Sequence, residues 1–523
     1  MPSESNSFIS MCPDDILLKI FSINLDISQF RTGPALEFTP LTRTRFTSQV
    51  CTRWRLLVLG SSSLWGKLLD LNDLDQKSNH WRDEVLLRTG QADLRVKVIL
   101  DPQFRRITSF FFRILDEEWP RIQDLDASIF QDGNFDDDRW LAIHRPTETL
   151  RSFYLHFRSQ APKPLQSVDN ILFSDHAPSL RYFCIKRMTF QLPVTWFPQL
   201  RRLHLVGQFL RPELLLSFSQ TLPILESLSI HFSEESHLGD PWPEIQFPRL
   251  QVLVLGGNLA ACLRILDHIT VPEGCELSLS TFDLHFIPPT RLMSRTLSRF
   301  YKHHTPLSIL LKVSASSFTF QFNWSSIEPP VFHLKMICGE PFAKSRYLEA
   351  ILDCPFSQVV HLALEAHHGS NLPSSDSNFL KFITLFPSVT ELIATAEMLQ
   401  LLVHAENHTN DIILPALKVL RPVLLKPAIV QEILTFLDQR QAAEVPLKFL
   451  DLRDHLGGNQ LDFGELERFS GMIVEWTTVN NELKLYICGS GDAQQLDFST
   501  PPLVRGSSDV DNDSELDSDD SFD

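Results

Sequence analysis

Phe197-Pro198-Gln199-Leu200-Arg201-Arg202-Leu203-His204-Leu205 is the stretch on which the architecture turns. The phrase returns as Leu222-Pro223-Ile224-Leu225-Glu226-Ser227-Leu228-Ser229-Ile230, and again as Phe247-Pro248-Arg249-Leu250-Gln251-Val252-Leu253-Val254-Leu255. Successive prolines stand 25 residues apart. In each copy the proline is expected to start a strand, where its missing N–H is tolerable. The Leu-x-Leu that follows alternates, so its two leucines point inward and the residue between them outward. On this alternation Arg202, His204, Ser227, Ser229 and Val254 belong to the outward set.

Looser copies extend both ways. Upstream stand Trp119-Pro120-Arg121-Ile122, Thr149-Leu150-Arg151-Ser152-Phe153-Tyr154-Leu155 and Pro178-Ser179-Leu180-Arg181-Tyr182-Phe183. Downstream stand Phe386-Pro387-Ser388-Val389, Leu414-Pro415-Ala416-Leu417-Lys418-Val419-Leu420 and Val445-Pro446-Leu447-Lys448-Phe449-Leu450-Asp451-Leu452. Helical stretches separate them, among them Leu259 to Ile269, Ser377 to Phe386 and Pro427 to Ala442. A period near 25 residues with one strand per unit is that of leucine-rich repeats, in which neighbours bury faces that no single unit can bury alone. The fold class expected is therefore α/β: N-terminal all-α helices, then a leucine-rich-repeat-like solenoid over 80–492, then an acidic disordered tail over 503–523.

Between Pro272 and Pro355 the phrase is degraded. Leu277-Ser278-Leu279, Leu307-Ser308-Ile309-Leu310 and His333-Leu334-Lys335-Met336 still read as strands of irregular repeats, the alternative being an inserted domain. Before the array, Trp81 to Arg88 reads as a helix ended by Thr89-Gly90, and Leu94 to Leu100 as a strand. After it, Gly464 to Thr478 reads as a helix and Leu483 to Ile487 as a last strand.

The 523 residues exceed one compact core. The chain is 43% hydrophobic and carries a formal charge of −17, a balance that opposes non-specific nucleic-acid binding. Ser507 to Asp523 holds eight Asp or Glu and no Lys or Arg, so about half of that imbalance sits in a tail expected to be disordered. Ser508 and Ser514 each precede an acidic residue by three places, the spacing that acidophilic kinases prefer. Eight cysteines without paired spacing read as reduced thiols. No secretory signal and no apolar run of membrane-spanning length is present, so a cytoplasmic or nuclear location is expected and sequons such as Asn323-Trp324-Ser325 are incidental.

A split motif lies near the N-terminus. Its first part is Cys12-Pro13-Asp14-Asp15-Ile16-Leu17-Leu18-Lys19-Ile20-Phe21; its second is Val50-Cys51-Thr52-Arg53-Trp54-Arg55-Leu56-Leu57, closing on Leu64-Trp65. Pro13 suits a first helical turn and Asp14 and Asp15 suit its dipole. Ile16, Leu17, Ile20 and Phe21 share a face, and Val50, Trp54 and Leu57 recur at i, i+4 and i+7. Such apolar faces serve either as core or as a helix-in-groove interface. Gly33-Pro34 and Thr39-Pro40 mark the stretch from Asn24 to Ser48 as a loop. Cys51 beside Trp54 reads as packed.

The segment resembles an F-box, the module by which substrate receptors dock on the Skp adaptor of SCF-type (Skp–cullin–F-box) ubiquitin ligases. Pro13, Asp14, Ile16, Leu17, Ile20 and Phe21 match its first helix, Val50, Cys51, Arg53, Trp54 and Arg55 its second, and Leu64-Trp65 its close. Cys12 replaces the usual leucine, and the insert from Asn24 to Ser48 is long, as in the F-box-like proteins of basidiomycete fungi. The resemblance implies an F-box-like domain over 8–71 and adaptor docking through Pro13, Ile16, Leu17, Ile20, Phe21, Val50, Trp54, Leu57 and Trp65. It further implies a substrate-recognition subunit whose partners are the Skp adaptor, a cullin ligase through it, and a protein target held by the repeats. The alternative is a non-catalytic leucine-rich-repeat scaffold or inhibitor with a helical N-terminal cap.

Enzymatic chemistry is not expected, nor are catalytic residues, cofactors, metals, nucleic acid or a membrane. No phosphate loop, His-Glu-x-x-His or nucleophile elbow occurs. Gly256-Gly257-Asn258 reads as a turn after a repeat strand, His303-His304 and His367-His368 as surface pairs, and Asp136-Asp137-Asp138 as a solvated loop.

Overall fold

A computed structural model describes residues 8–498 apart from 24, 26–38, 77, 102–104, 131–137, 168, 193, 207–212, 232–243, 284–289, 302–303, 324–329, 339–342, 368–369, 371, 373–375, 410–411, 424–426, 454–460 and 479–481. Gly33-Pro34, Asp136 and Asp137, His303, His368, Trp324-Ser325 and the acidic tail with Ser508 and Ser514 lie outside the described residues.

The chain is a mixed α/β protein. Helices α1 (Asp14–Ile23), α2 (Pro40–Thr47), α3 (Thr52–Gly60) and α4 (Ser62–Trp65) come first. Then follow β1 (Leu69–Asp70), α5 (His80–Arg88), β2 (Leu94–Leu100), α6 (Arg105–Glu117), β3 (Ile122–Ile129), β4 (Ser152–Phe157), β5 (Tyr182–Lys186) and β6 (Arg202–Val206). Next come α7 (Glu213–Thr221), β7 (Ser227–His231), β8 (Ile245–Gln246), β9 (Val252–Gly257), α8 (Leu259–His268), β10 (Ile269–Thr270), β11 (Glu276–Asp283) and α9 (Thr290–Tyr301). The series continues with β12 (Ser308–Val313), β13 (Ser317–Phe322), β14 (Phe332–Cys338), α10 (Ala343–Ile351), β15 (His361–Ala366), α11 (Ser377–Thr384) and β16 (Glu391–Ala394). It ends with α12 (Ala396–Thr409), β17 (Val419–Pro422), α13 (Pro427–Ala442), β18 (Phe449–Leu452), β19 (Ile473–Thr477) and β20 (Leu483–Ile487). Two compact units result: Met1–Pro306 with Ala315–Pro355, and Leu307–Ser314 with Phe356–Asp523. No helix among the described residues is long and apolar enough to cross a membrane.

In the first unit β1, β2, β3, β4, β5, β6, β7, β9, β11 and β14 pair in that order, each parallel to the next. The register aligns Leu125, Phe153, Phe183, Leu203, Leu228, Leu253 and Leu277 in one buried row, and Ala127, Leu155, Ile185, Leu205, Ile230, Leu255 and Leu279 in another. Each large side chain so buried contributes about 1.5–3 kcal/mol. The second unit pairs β12, β15, β16, β17, β18 and β19 in parallel, with Ile309, Leu362, Leu392, Leu420, Leu450 and Val474 as its corresponding row.

The repeated proline does not start the strand. It sits in a turn closed by the leucine two residues later: Leu200 N donates to Phe197 O at 2.9 Å, Leu225 N to Leu222 O at 3.3 Å and Leu250 N to Phe247 O at 3.2 Å. Strands begin at Arg202, Ser227 and Val252, beyond the turn. Proline's fixed φ suits the turn, where its missing N–H is not called on for any ladder bond. The carbonyl just after each turn then accepts two N–H groups of the next repeat: Arg181 O takes Arg201 N and Arg202 N, Arg201 O takes Glu226 N and Ser227 N, and Glu226 O takes Gln251 N and Val252 N. Val360, Thr390 and Lys418 carbonyls do the same in the second unit. This chained acceptor sets the register of each of these repeats on the one before it.

Other expectations are corrected. The degraded region holds the three expected strands, β11, β12 and β14, but β11 pairs with β14 while β12 pairs with β15 in the other unit. The unexpected β13 runs antiparallel to β14, because the nine residues 323–331 are too few for a parallel crossover. Gly464 to Thr478 is not one helix. A 3-10 turn (Gly464–Arg468) gives way to β19, since Gly471 takes φ +87° and Ile473, Val474 and Trp476 favour strand. Nor does every repeat carry an α-helix. From β4 to β6 the layer behind the sheet, among the described residues, is 3-10 turns and aromatic rings, with Phe173 5.2 Å from Phe153 and Trp196 4.8 Å from Phe183 between centroids.

Candidate functional site

The two halves of the N-terminal motif meet. Arg53 Nη2 approaches Asp14 Oδ1 at 2.6 Å and also donates to Cys12 O, tying the start of α1 to the start of α3 across 39 positions. Phe21 and Trp54 pack edge to face with centroids 4.9 Å apart. The stretch between them is not all loop. Thr39 Oγ1 caps α2, accepting from Thr42 N at 3.3 Å, and Pro40 opens that helix, so the Thr39-Pro40 pair is a helix start. Leu41 and Thr44 of α2 are buried, and Phe21, Leu25, Thr44, Val58 and Leu64 line one small internal gap.

The apolar positions of α1 form two stripes. Leu17 and Phe21 point inward at 2% and 6% exposure, whereas Ile16 and Ile20 stand outward at 43% and 47%, continued by Ile23. The residues assigned to docking therefore divide. Pro13, Ile16, Ile20 and Val50 are exposed, and Trp54 and Leu57 are half-buried. Leu17, Phe21 and Trp65 are core, and cannot touch a partner as the chain stands. Trp65 donates from Nε1 to Val58 O at 2.8 Å, meets Trp81 edge-on at 6.3 Å and lies under the Arg88 guanidinium at 4.8 Å. The sequence reading missed exposed Met11, Ile23 and Leu56; helical spacing groups positions about 100° apart but does not say which of two adjacent stripes faces in. Val50 lies before α3, not on it, and Cys51 is exposed rather than packed, its Sγ accepting from Trp54 N at 3.5 Å as the helix cap.

A second surface is the open face of the first unit's strands. Register sets Arg202 beside Ser227, and aligns Tyr154, Cys184, His204, Ser229 and Val254 in one row. Ser229 is nearly enclosed by its neighbours, at 5% exposure, so it is not freely outward. Alternation alone missed His156, Lys186 and His231, which lie on the same face one row further along. The His204 and His231 rings stack at 6.3 Å with planes 4° apart. Gly256 makes this possible: a Cβ there would lie 2.2 Å from His231 Nδ1, so Gly256 is a strand residue giving room and not a turn residue. Asn258 caps α8, accepting from Ala261 N at 3.0 Å. Burial foremost, and then Lys186, His231 and His156, hold His204 down at about 4, and burial lowers His156 and His231 as well. These rings are neutral at pH 7. His204 Nε2 and Ser229 Oγ have no hydrogen-bond partner among the described residues.

Among the described residues no three His, Cys, Asp or Glu side chains are placed to hold a metal, and the seven described cysteines are free thiols. Burial foremost pushes the Cys275 thiol up to about 12, which makes it a poor nucleophile. No model of a known protein family matches the chain, and no curated protein does.

Proposed function

We propose that the chain is a substrate-recognition subunit of an SCF-type ubiquitin ligase: its N-terminal helices dock the Skp adaptor, and its strand array, read as a leucine-rich-repeat solenoid, holds a protein target. The observation that carries the first half is the outward stripe Ile16, Ile20 and Ile23 on a helix whose inward stripe is already satisfied. Three large apolar side chains on one exposed helix face are what a helix-in-groove interface uses, and two-fifths or more of each is left open to solvent. The joining of α1 to α3 by Arg53 and Trp54 supports the same reading, since the two halves of the motif would present one surface. Serial parallel pairing with chained carbonyl acceptors supports the solenoid.

The test is co-purification with the Skp adaptor. Ile16→Asp with Ile20→Asp is expected to abolish capture while leaving the thermal melt of the chain unchanged. Undiminished capture by that variant would sink the docking assignment. Leu17→Ala is unsuitable for this purpose, because removing a buried leucine costs about 2–5 kcal/mol and would confound docking with folding.

A second reading, a scaffold whose helices merely cap the array, is favoured by one set of contacts. Trp65 packs on Trp81 and Arg88, Arg95 N donates to Gly66 O at 2.8 Å, and β1 pairs with β2. A chain that never captures the adaptor, yet unfolds when residues 8–65 are deleted, would establish the cap in place of the ligase subunit.

A further inference from the structure

The open face from β4 to β9 is chemically unlike the rest of this acidic chain. Its residues are Ser152, Tyr154 and His156; Tyr182, Cys184 and Lys186; Arg202, His204 and Val206; Ser227, Ser229 and His231; and Val252, Val254 and Gly256. There is no carboxylate among them, in a molecule of formal charge −17. Lys186 and Arg202 have no ion-pair partner among the described residues. Each lies against a tyrosine of the neighbouring strand instead, Lys186 Nζ 5.9 Å from the Tyr154 ring and the Arg202 guanidinium 5.3 Å from that of Tyr182. At the start of the first unit's array, by contrast, cations are matched across strands: Arg95 with Asp124 at 2.9 Å and Lys97 with Asp70 at 2.8 Å.

We propose that this face binds an extended acidic segment of a protein partner. The proposal rests on the reading of the array as the target-holding part of the molecule, and names the chemistry of the target. Charge complementarity carries it. Two unmatched cations lie against aromatic rings, and beside them on β6 and β7 are a neutral histidine pair and the hydroxyls of Ser227 and Ser229. His204 Nε2 and Ser229 Oγ, two buried polar atoms without a partner among the described residues, fall in the central row of the same face.

The spacing decides what kind of anion fits. Lys186 and Arg202 lie on adjacent strands but four positions apart in register, since Tyr182 is opposite Arg202. At about 3.3 Å per residue that offset is roughly 13 Å. One phosphate cannot reach both, whereas an extended chain with acidic side chains several residues apart can. Nucleic acid fits poorly, because its dense charge needs many cations and would meet the field of an acidic protein.

Fluorescence anisotropy on the full chain tests this. The probe is a labelled twelve-residue peptide of alternating Glu and Ser, read at low and at high salt. Saturable binding is expected, weakened by salt, and weakened about tenfold or more in Lys186→Glu/Arg202→Glu. A Lys-Ser peptide of equal length should not bind. Lys484→Glu, on β20 of the other unit, should leave affinity unchanged. Should the reversal variant melt early, Lys186→Gln/Arg202→Gln keeps the stems and is expected to show the same loss in smaller degree. Absent binding, binding indifferent to both double variants, or a twelve-residue RNA bound as tightly as the acidic peptide would each overturn the proposal. Adaptor capture by the same preparations keeps the outcomes separate, since peptide binding does not pass through Ile16 or Ile20, and docking does not pass through Lys186 or Arg202.

Discussion

The two strand arrays are built on the same kind of parallel ladder and differ in how their open faces are neutralised. In the second unit the face closes on itself: Lys312 meets Glu365 at 2.7 Å, His361 meets Glu391 at 3.0 Å, and Asp451 takes both Arg421 and Arg453 at 2.7 Å, with Glu475 3.3 Å from Arg453. From β4 to β9 of the first unit the same positions carry cations against tyrosines, stacked neutral histidines and hydroxyls. A face that satisfies its own charges has little electrostatic reason to bind anything. One that leaves cations unmatched in a protein of charge −17 keeps a capacity for an acidic ligand.

Breaking the self-satisfied face should have the largest effect. Asp451 is a buried carboxylate; burial alone would raise its pKa, but hydrogen bonds from Arg453 and Arg421 outweigh that and hold it at about 2. Asp451→Ala should cost the second unit about 3 kcal/mol, read by urea denaturation with Trp476 fluorescence. Because the folded value is depressed, this stabilisation is complete above about pH 4 and is lost as pH falls through about 2, where mutant and parent should converge.

In the first unit Gly256→Ala should destabilise by about 2 kcal/mol, as the new Cβ meets the His231 ring. His231→Ala in the same chain should recover most of the loss. If the double variant is no better than the single, room for His231 is not why glycine stands there.

The two faces should also respond to acid in different windows. Burial foremost holds His204 low, at about 4, with the Lys186 cation and the titratable His231 and His156 rings around it. Its contribution is therefore present above about pH 6.5 and disappears as pH falls towards 4, before Asp451 begins to titrate. His204→Phe should flatten that part of the pH–stability curve by about 1 kcal/mol, a figure reduced for partial solvent screening. Hydrogen exchange across pH 7 to 3 would show whether β4–β9 loosens first.

The smallest effect should come from the unmatched cations. Lys186→Ala and Arg202→Ala should each change stability by less than about 1 kcal/mol, the scale of an exposed cation–π contact. Larger losses would mean that these side chains hold the fold and are not reserved for a ligand.

The array was largely legible from the sequence because alternation and period are local. Leu94–Leu100 and Pro427–Ala442 form the strand and the helix expected over those residues. The proline's turn was misplaced because both sites tolerate a missing N–H, and only the bond from Leu200 N to Phe197 O distinguishes them. Gly464 to Thr478 misled because a charged 3-10 turn running into Ile473 and Val474 imitates helical spacing over a short window. At the N-terminus the residue types were legible, and the choice of inward stripe was not. Leu17 and Phe21 could be told from Ile16 and Ile20 only by what packs against α1.

The sequence by itself determined the repeated strands, their apolar rows and the presence of two complementary helical pieces, because each of these is a matter of side-chain type at fixed local spacing. Tertiary structure alone decided that β12 leaves its neighbours to pair with β15, that Gly256 gives way to His231, and that Lys186 and Arg202 face tyrosines while Arg421 and Arg453 face Asp451. Arg453 apart, which is two residues from Asp451, those outcomes depend on register between segments 20 to 53 residues apart, and register is set by the carbonyl of one repeat meeting the amides of another, a distance no local pattern encodes.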